Sequence, residues 1–160
     1  MSKIVTIAAC VFDVILRNGV ASTSNLAGAI LNTTMTLRRT GANVELASVV
    51  GKDKIGDMFI HFFKKNGFNT NNIVQSDKIQ SITAMAFIDQ NNNASYMFYG
   101  EFKPDLVTIP SGLGANDVIQ IGDFVSLFPN YNNIIQRLPK EPIVYYDPNT
   151  RSEMDDAAYG

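Results

Sequence analysis

Residues 32–57 read NTTMTLRRTGANVELASVVGKDKIGD, and their spacing, Asn32-x-Thr34-x6-Gly41-x9-Gly51-x-Asp53-x2-Gly56, decides the fold. Thr34 and Leu37 continue an apolar pattern begun at Ile30 and Leu31, and Gly41 follows as a helix stop. Val44 to Val50 is a short, mostly apolar run ending at Gly51, which predicts a buried strand. From Lys54, apolar Ile55, Met58, Phe59, Phe62 and Phe63 fall on one stripe of an amphipathic helix. Lys64, Lys65 and Gly67 close it with a basic last turn and a glycine cap. Helix, strand and helix joined by glycine turns form the unit of a layered α/β domain with right-handed crossovers.

Upstream, residues 3–16 alternate and then run apolar, predicting a first sheet strand that leads into an extended segment. Ser22 to Asn25 supply helix-start residues. Downstream, Ile82–Ile88 and Ser95–Tyr99 are β-rich on either side of an Asp-Gln-Asn-Asn-Asn turn at 89–93, a hairpin. Residues 104–115 are a proline- and glycine-punctuated connection. Val118–Ile121 and Ile143–Tyr146 predict buried parallel strands, with a short helix over Asn132–Leu138 between them. The hairpin does not belong to a plain doubly wound sheet and is expected to project from it as a flap.

The totals narrow the function. A chain of 160 residues, 46% hydrophobic and 18% charged, is long enough for one domain with its own core. A formal charge of −2 argues against a nucleic-acid partner, which calls for a basic face. The basic pairs Arg38-Arg39 and Lys64-Lys65 fall near predicted helix ends, where cations complement the helix dipole. One cysteine, Cys10, excludes an intramolecular disulfide and fits a reducing compartment. Lys3 followed by Ile-Val-Thr-Ile-Ala-Ala-Cys has the look of a lipoprotein leader, but the apolar stretch is short and the strand pattern continues past it. No stretch reaches the ~18 apolar residues of a membrane span. The expectation is a soluble, cytoplasmic protein with neither a membrane nor a nucleic acid as partner.

Ligands of open parallel sheets bind outside the carboxyl ends of the strands. Asp13, Asp53 and the run Asp147-Pro148-Asn149-Thr150-Arg151 each follow a predicted strand, and Asn32 lies in the first turns of the helix beginning near Gly28. Asp and Asn suit sugar hydroxyls, because a carboxylate or amide engages two neighbouring hydroxyls at once. Arg151 offers a planar fork to a carboxylate or phosphate. Asp53 with Gly56 reads equally as a helix start, and Asp147-Pro148-Asn149 as a turn. Asp13, an acid inside an apolar stretch, needs a partner. His61 falls opposite the apolar stripe and reads as solvated surface; Cys10 has no base on its face, and no metal-ligand spacing occurs. Phe87, Tyr96, Phe98 and Tyr99 on the hairpin read as core rather than as a stacking platform.

The pattern resembles the PfkB/ribokinase-type carbohydrate kinases at five places: Asp13; Ala27-Gly28 with Asn32; Arg-Thr-Gly-Ala at 39–42; Gly51-x-Asp53-x2-Gly56; and Asp-Pro-Asn-Thr-Arg at 147–151. Thr83 within Ser-Ile-Thr-Ala-Met-Ala-Phe-Ile-Asp resembles the family's lid strand, and Tyr-Met-Phe-Tyr at 96–99 the aromatic strand after it. The interval from Asp13 to Gly28 looks more like fructokinase and 2-keto-3-deoxygluconate kinase relatives than ribokinase.

The resemblance implies a ribokinase-like, Rossmann-type layered α/β domain with a projecting β-sheet lid, of which residues 1–160 are the N-terminal portion and the C-terminal part is missing. Lid segments would lie at about 12–24 and 76–103. It implies sugar contacts by Asp13, Gly28, Asn32, Asn149 and Arg151, and a lid carrying Thr83, Phe98 and Tyr99. The whole enzyme would use ATP and Mg²⁺, and two copies would pair through their lids. Four departures stand out. Ala8-Ala9 replaces the family's Gly-Glu, Ala27 the first of a glycine pair, and Gly100 an arginine found in acid-sugar kinases. The Gly-Ala-Gly-Asp segment that supplies the anion hole and base does not occur, so no catalytic base is expected in this chain and the 160 residues alone are expected to be inactive. The alternative is a non-catalytic sugar- or nucleoside-binding or dimerisation module.

Overall fold

The computed structural model describes residues 2–127 and 129–149. Five strands, β1 (Ile4–Ile7), β4 (Val44–Gly51), β5 (Ile73–Ser76), β8 (Val118–Gly122) and β9 (Ile143–Asp147), form a parallel sheet ordered β5-β4-β1-β8-β9. Four more, β2 (Val11–Arg17), β3 (Val20–Ala27), β6 (Ile82–Ile88) and β7 (Ala94–Tyr99), form a second sheet ordered β3-β2-β6-β7.

Alternation along β4 feeds two cores. Val44, Leu46 and Val50 face α1 (Ala29–Arg39) and α2 (Lys54–Lys65), packing with Ile30, Leu31, Met35, Phe59 and Phe63. Ala47 and Val49 face the other way, with Val5, Ile7, Ile119 and Ile121 of the neighbouring strands. That face is covered by Phe102, Val107, Val125, Tyr131 and Ile134, the last on the short helix α3 (Asn132–Gln136). Thr34 has a local reason. Its buried hydroxyl lies 2.7 Å from both the Ile30 carbonyl and the Thr6 hydroxyl, docking α1 onto β1.

The glycine spacing of 51–56 also has a mechanical cause. Asp53 caps α2, its carboxylate accepting from Gly56 N–H at 2.8 Å. A Cβ on Gly56 would run into the Gly51 carbonyl, so the turn closes only with glycine there. Of the two readings of Asp53, the structure shows the helix start.

Several expectations are corrected. Residues 3–16 are not one strand. Buried Ala8, Ala9 and Cys10 carry the chain from β1 in one sheet to β2 in the other, and an apolar crossing between two apolar strands hides the break. Ser22–Asn25 start no helix but lie within β3, paired antiparallel to β2. The turn between them is Asn18-Gly19, both at positive φ (52° and 76°), the two-residue hairpin that Asn-Gly favours. β5 is an additional short strand. The 82–99 hairpin is half of a four-stranded sheet rather than a free flap. Its aromatics are not core: Tyr96, Phe98 and Tyr99 are 45–53% exposed, because β7 is an edge strand with a neighbour on one side only. Phe87 is half-buried.

Candidate functional site

The carboxyl ends of β1, β4, β8 and β9 lie at one edge of the parallel sheet, and the second sheet grows directly out of the end of β1. Asp13 therefore does not end a strand of the main sheet. It sits half-buried inside β2, opposite Asn25 of β3 and Ala84 of β6. Two pairs nearer the main sheet, Val11 faces Ala27, and Gly28 follows at the N-terminus of α1. Gly28 has φ 134°, and a Cβ there would run into the Ala9 carbonyl, so this crossing needs glycine. Asn32, exposed one turn into α1, donates its N–H to the Gly28 carbonyl at 2.9 Å. Register and helix geometry thus bring Asp13, Gly28 and Asn32 to one corner. Asn25 joins them and was missed; its signal was the Asn18-Gly19 turn, which sets it opposite Asp13.

A second group closes the ends of β8 and β9. Asp123 is 1% exposed at φ 67°, directly after Gly122. Its N–H donates to the Asp147 carbonyl at 2.8 Å, and its carboxylate accepts from Asn149 Nδ2 at 3.3 Å. Asn149 N–H in turn donates to Asp147 Oδ1 at 3.2 Å. The Asp147-Pro148-Asn149 turn is thereby tied back onto β8. Asp123 was not singled out in the sequence, although an acid at the end of an apolar run is the signal that drew attention to Asp13. Arg151 lies outside the described residues.

Asp123 also acts on Cys10 across the strand ends. Burial pushes the Cys10 thiol up to about 12; a hydrogen bond with Ser48 lowers it and the Asp123 charge raises it. Cys10 Sγ lies 3.3 Å from Ser48 Oγ, so the thiol is a packed, protonated side chain at neutral pH.

The lid candidates divide by face. Ala84 pairs with both Asp13 and Phe98, so Phe98 shares the face of Asp13. Thr83 pairs with Tyr99, and both point to the opposite face. Tyr96 stacks beside Phe98 with ring centroids 6.2 Å apart at 18°. Among the described residues, no three His, Cys, Asp or Glu side chains are grouped to hold a metal ion. The described residues offer no cradle for Mg²⁺, and no phosphate-transfer step is derived through it or ATP.

A parallel sheet flanked by helices, carrying a second sheet and a polar corner at its strand ends, defines a ribokinase-like α/β protein. The profile of the pfkB family carbohydrate kinases matches residues 1–149, and the chain belongs to that family. Among solved structures, it is similar to fructokinase from Vibrio cholerae O395, with a TM-score of 0.78 and 17% identity over 99% of this chain and 57% of that one. It is also similar to the nucleoside kinase of Methanocaldococcus jannaschii, an archaeal member of the ribokinase family (TM-score 0.72, 23% identity, 92% of this chain and 52% of that one). A third is an uncharacterized sugar kinase from Pyrococcus horikoshii in complex with ATP (TM-score 0.76, 16% identity, 94% and 54%). No curated protein matches. The chain spans a little over half the length of these solved structures. Among the described residues, no helix is long and apolar enough to cross a membrane.

Proposed function

We propose that the chain is the sugar-binding portion of an ATP-dependent carbohydrate kinase, one that transfers the γ-phosphate to a sugar hydroxyl when the domain is whole. The observation that carries this reading is the corner formed by Asp13, Asn25, Gly28 and Asn32, three of them polar and all set by register around one glycine crossing. Asp13 and Asn32 would hold neighbouring hydroxyls, and the absence of a side chain at Gly28 would let the sugar approach the backbone. Asn149, held by Asp123, would reach the same site from the end of β9, with Arg151 facing an acidic group of the substrate or a phosphate. Segments 12–24 and 76–103 would act as the lid, with Phe98 on the ligand side and Thr83 and Tyr99 on its outer side. ATP and Mg²⁺ would be held mainly by residues outside this chain. The protein would work in the cytoplasm.

Pairing of two copies through the second sheet is part of this reading. The support is β7, an edge strand with Tyr96, Met97, Phe98 and Tyr99 at 45–53% exposure. A second reading, a nucleoside-binding or dimerisation module without kinase chemistry, is favoured by Phe98, whose half-exposed ring on the face of Asp13 suits a planar base. Calorimetric titration with fructose and with adenosine, beside an assay of ADP release, separates them. Fructose binding without turnover by the 160-residue chain is the expected result. Adenosine binding alone would favour the second reading, and sugar-stimulated ADP release by this chain would overturn its expected inactivity.

A further inference from the structure

The strand β9 ends the parallel sheet, and nothing described covers it. Ile143 is 60%, Val144 44%, Tyr145 56% and Tyr146 45% exposed, while Ile119 and Ile121 on adjacent β8 are 0% and 2% exposed. Alternation puts Ile143 and Tyr145 on one face and Val144 and Tyr146 on the other, so both faces are bare. Only Tyr146 has a polar contact, its hydroxyl donating to Ser126 Oγ at 3.0 Å. Parallel sheets are covered on both faces, and a long apolar edge strand invites pairing. The other edge is different: β5 is four residues long, with Ile73 and Ser76 buried.

We infer that the β9 edge is a docking surface whose occupant is the rest of the same α/β domain, contributing a strand alongside β9 and helices over both of its faces. The inference rests on the reading of this chain as part of a longer kinase. Three observations select this occupant. The apolar edge continues a parallel sheet, which calls for further crossover units with helices rather than a lone strand. Both faces need cover, and a two-fold copy pairing β9 with β9 would set the strands antiparallel and leave the outer faces open. The solved structures of this fold extend well past the matched portion, which is 57% of the Vibrio cholerae fructokinase.

Hydrogen exchange at 143–147 tests it, comparing the 160-residue chain with the protein made from its complete reading frame. Backbone amides of β9 that point away from β8 should exchange near the intrinsic rate in the 160-residue chain and at least ~100-fold slower in the complete protein. Fast exchange in both, or a frame that closes at Gly160 with a fast-exchanging edge, overturns the inference. Protection in the 160-residue chain that grows with its concentration also overturns it, in favour of a second copy. The variant Tyr145→Lys gives an independent readout. It should leave the melting temperature of the 160-residue chain within about 2 °C of the parent and lower that of the complete protein by more than about 4 °C. Equal shifts in both would overturn the inference. Protection without sugar-dependent ADP release keeps the docking edge and removes the kinase reading; ADP release with an open edge does the reverse.

Discussion

Ser81 donates both its backbone N–H and its hydroxyl to the carboxylate of Asp53, each at 2.8 Å. The same hydroxyl accepts from Gly51 N–H at 2.9 Å. Ser81 immediately precedes β6, so the cap of α2 is also the tie between the main sheet and the entry to the second sheet. Asp53→Ala removes the acceptor for Gly56 N–H as well as both Ser81 donors. The expected loss is about 1–3 kcal/mol, read from urea unfolding of the two chains.

The pH dependence of that loss has a defined sign. Burial raises the Asp53 carboxyl, but hydrogen bonds from Ser81 and Gly56 outweigh it and hold the group below its ordinary value. A carboxyl depressed in the folded state contributes stability that is fully present above its unfolded value of about 3.9. That contribution is lost as pH falls through the lower folded value. The stability gap between parent and Asp53→Ala should therefore be flat from about pH 8 to about pH 5 and shrink in more acidic solution. A gap that widens on acidification would remove the carboxylate as its cause.

Gly28 and Gly19 make a controlled pair. Both have positive φ, 134° and 76°, but a Cβ on Gly28 meets the Ala9 carbonyl whereas nothing lies within 4 Å of one on Gly19. Gly19→Ala should cost only about 1 kcal/mol, the strain of the left-handed backbone. Gly28→Ala adds a backbone clash and should cost about 3 kcal/mol or more. Thermal unfolding of the two variants side by side checks the order.

These positions show what was legible in the sequence. The Gly51–Gly56 turn, the α2 stripe and the Gly41 stop are local, each fixed by residues within a few places of one another. β3 was misread because serines and asparagine at 22–25 also start helices, and only its ladder with β2 decides between the two. β5 is four residues long and includes Gln75, too little for a period to show. Asp13 was recognised as a site residue, yet its place in the second sheet depends on the Ala8–Cys10 crossing. Exposure of Phe98 and Tyr145 depends on what lies beyond a sheet edge, which no local pattern encodes.

Cys10 should be chemically silent in the folded chain. Its thiol is pushed up to about 12 by burial, against the Ser48 hydrogen bond and with the Asp123 charge. Reaction with a thiol-specific disulfide reagent at about pH 8 should be slowed at least ~100-fold relative to the urea-unfolded chain. Ser48→Ala removes the one lowering contact and should not speed the reaction unless it opens the fold, which the melting temperature would reveal.

Asp13 and Asn25 face each other across β2 and β3 above the Gly28 crossing. If they hold sugar hydroxyls, Asp13→Asn keeps the shape and one acceptor but loses the charge-assisted bonds. The expected effect is a fall in sugar affinity of about ten- to hundredfold, as for hydrogen bonds to a charged group. Asn25→Ala should weaken binding less, since a neutral amide is removed. In both variants the melting temperature should stay within about 4 °C of the parent, because both residues have solvent access on their strands. Calorimetry with the sugar that binds the parent reads the affinity, and unfolding reads the stability. Loss of stability with unchanged affinity would mark the pair as a cross-strand tie and remove Asp13 from the site.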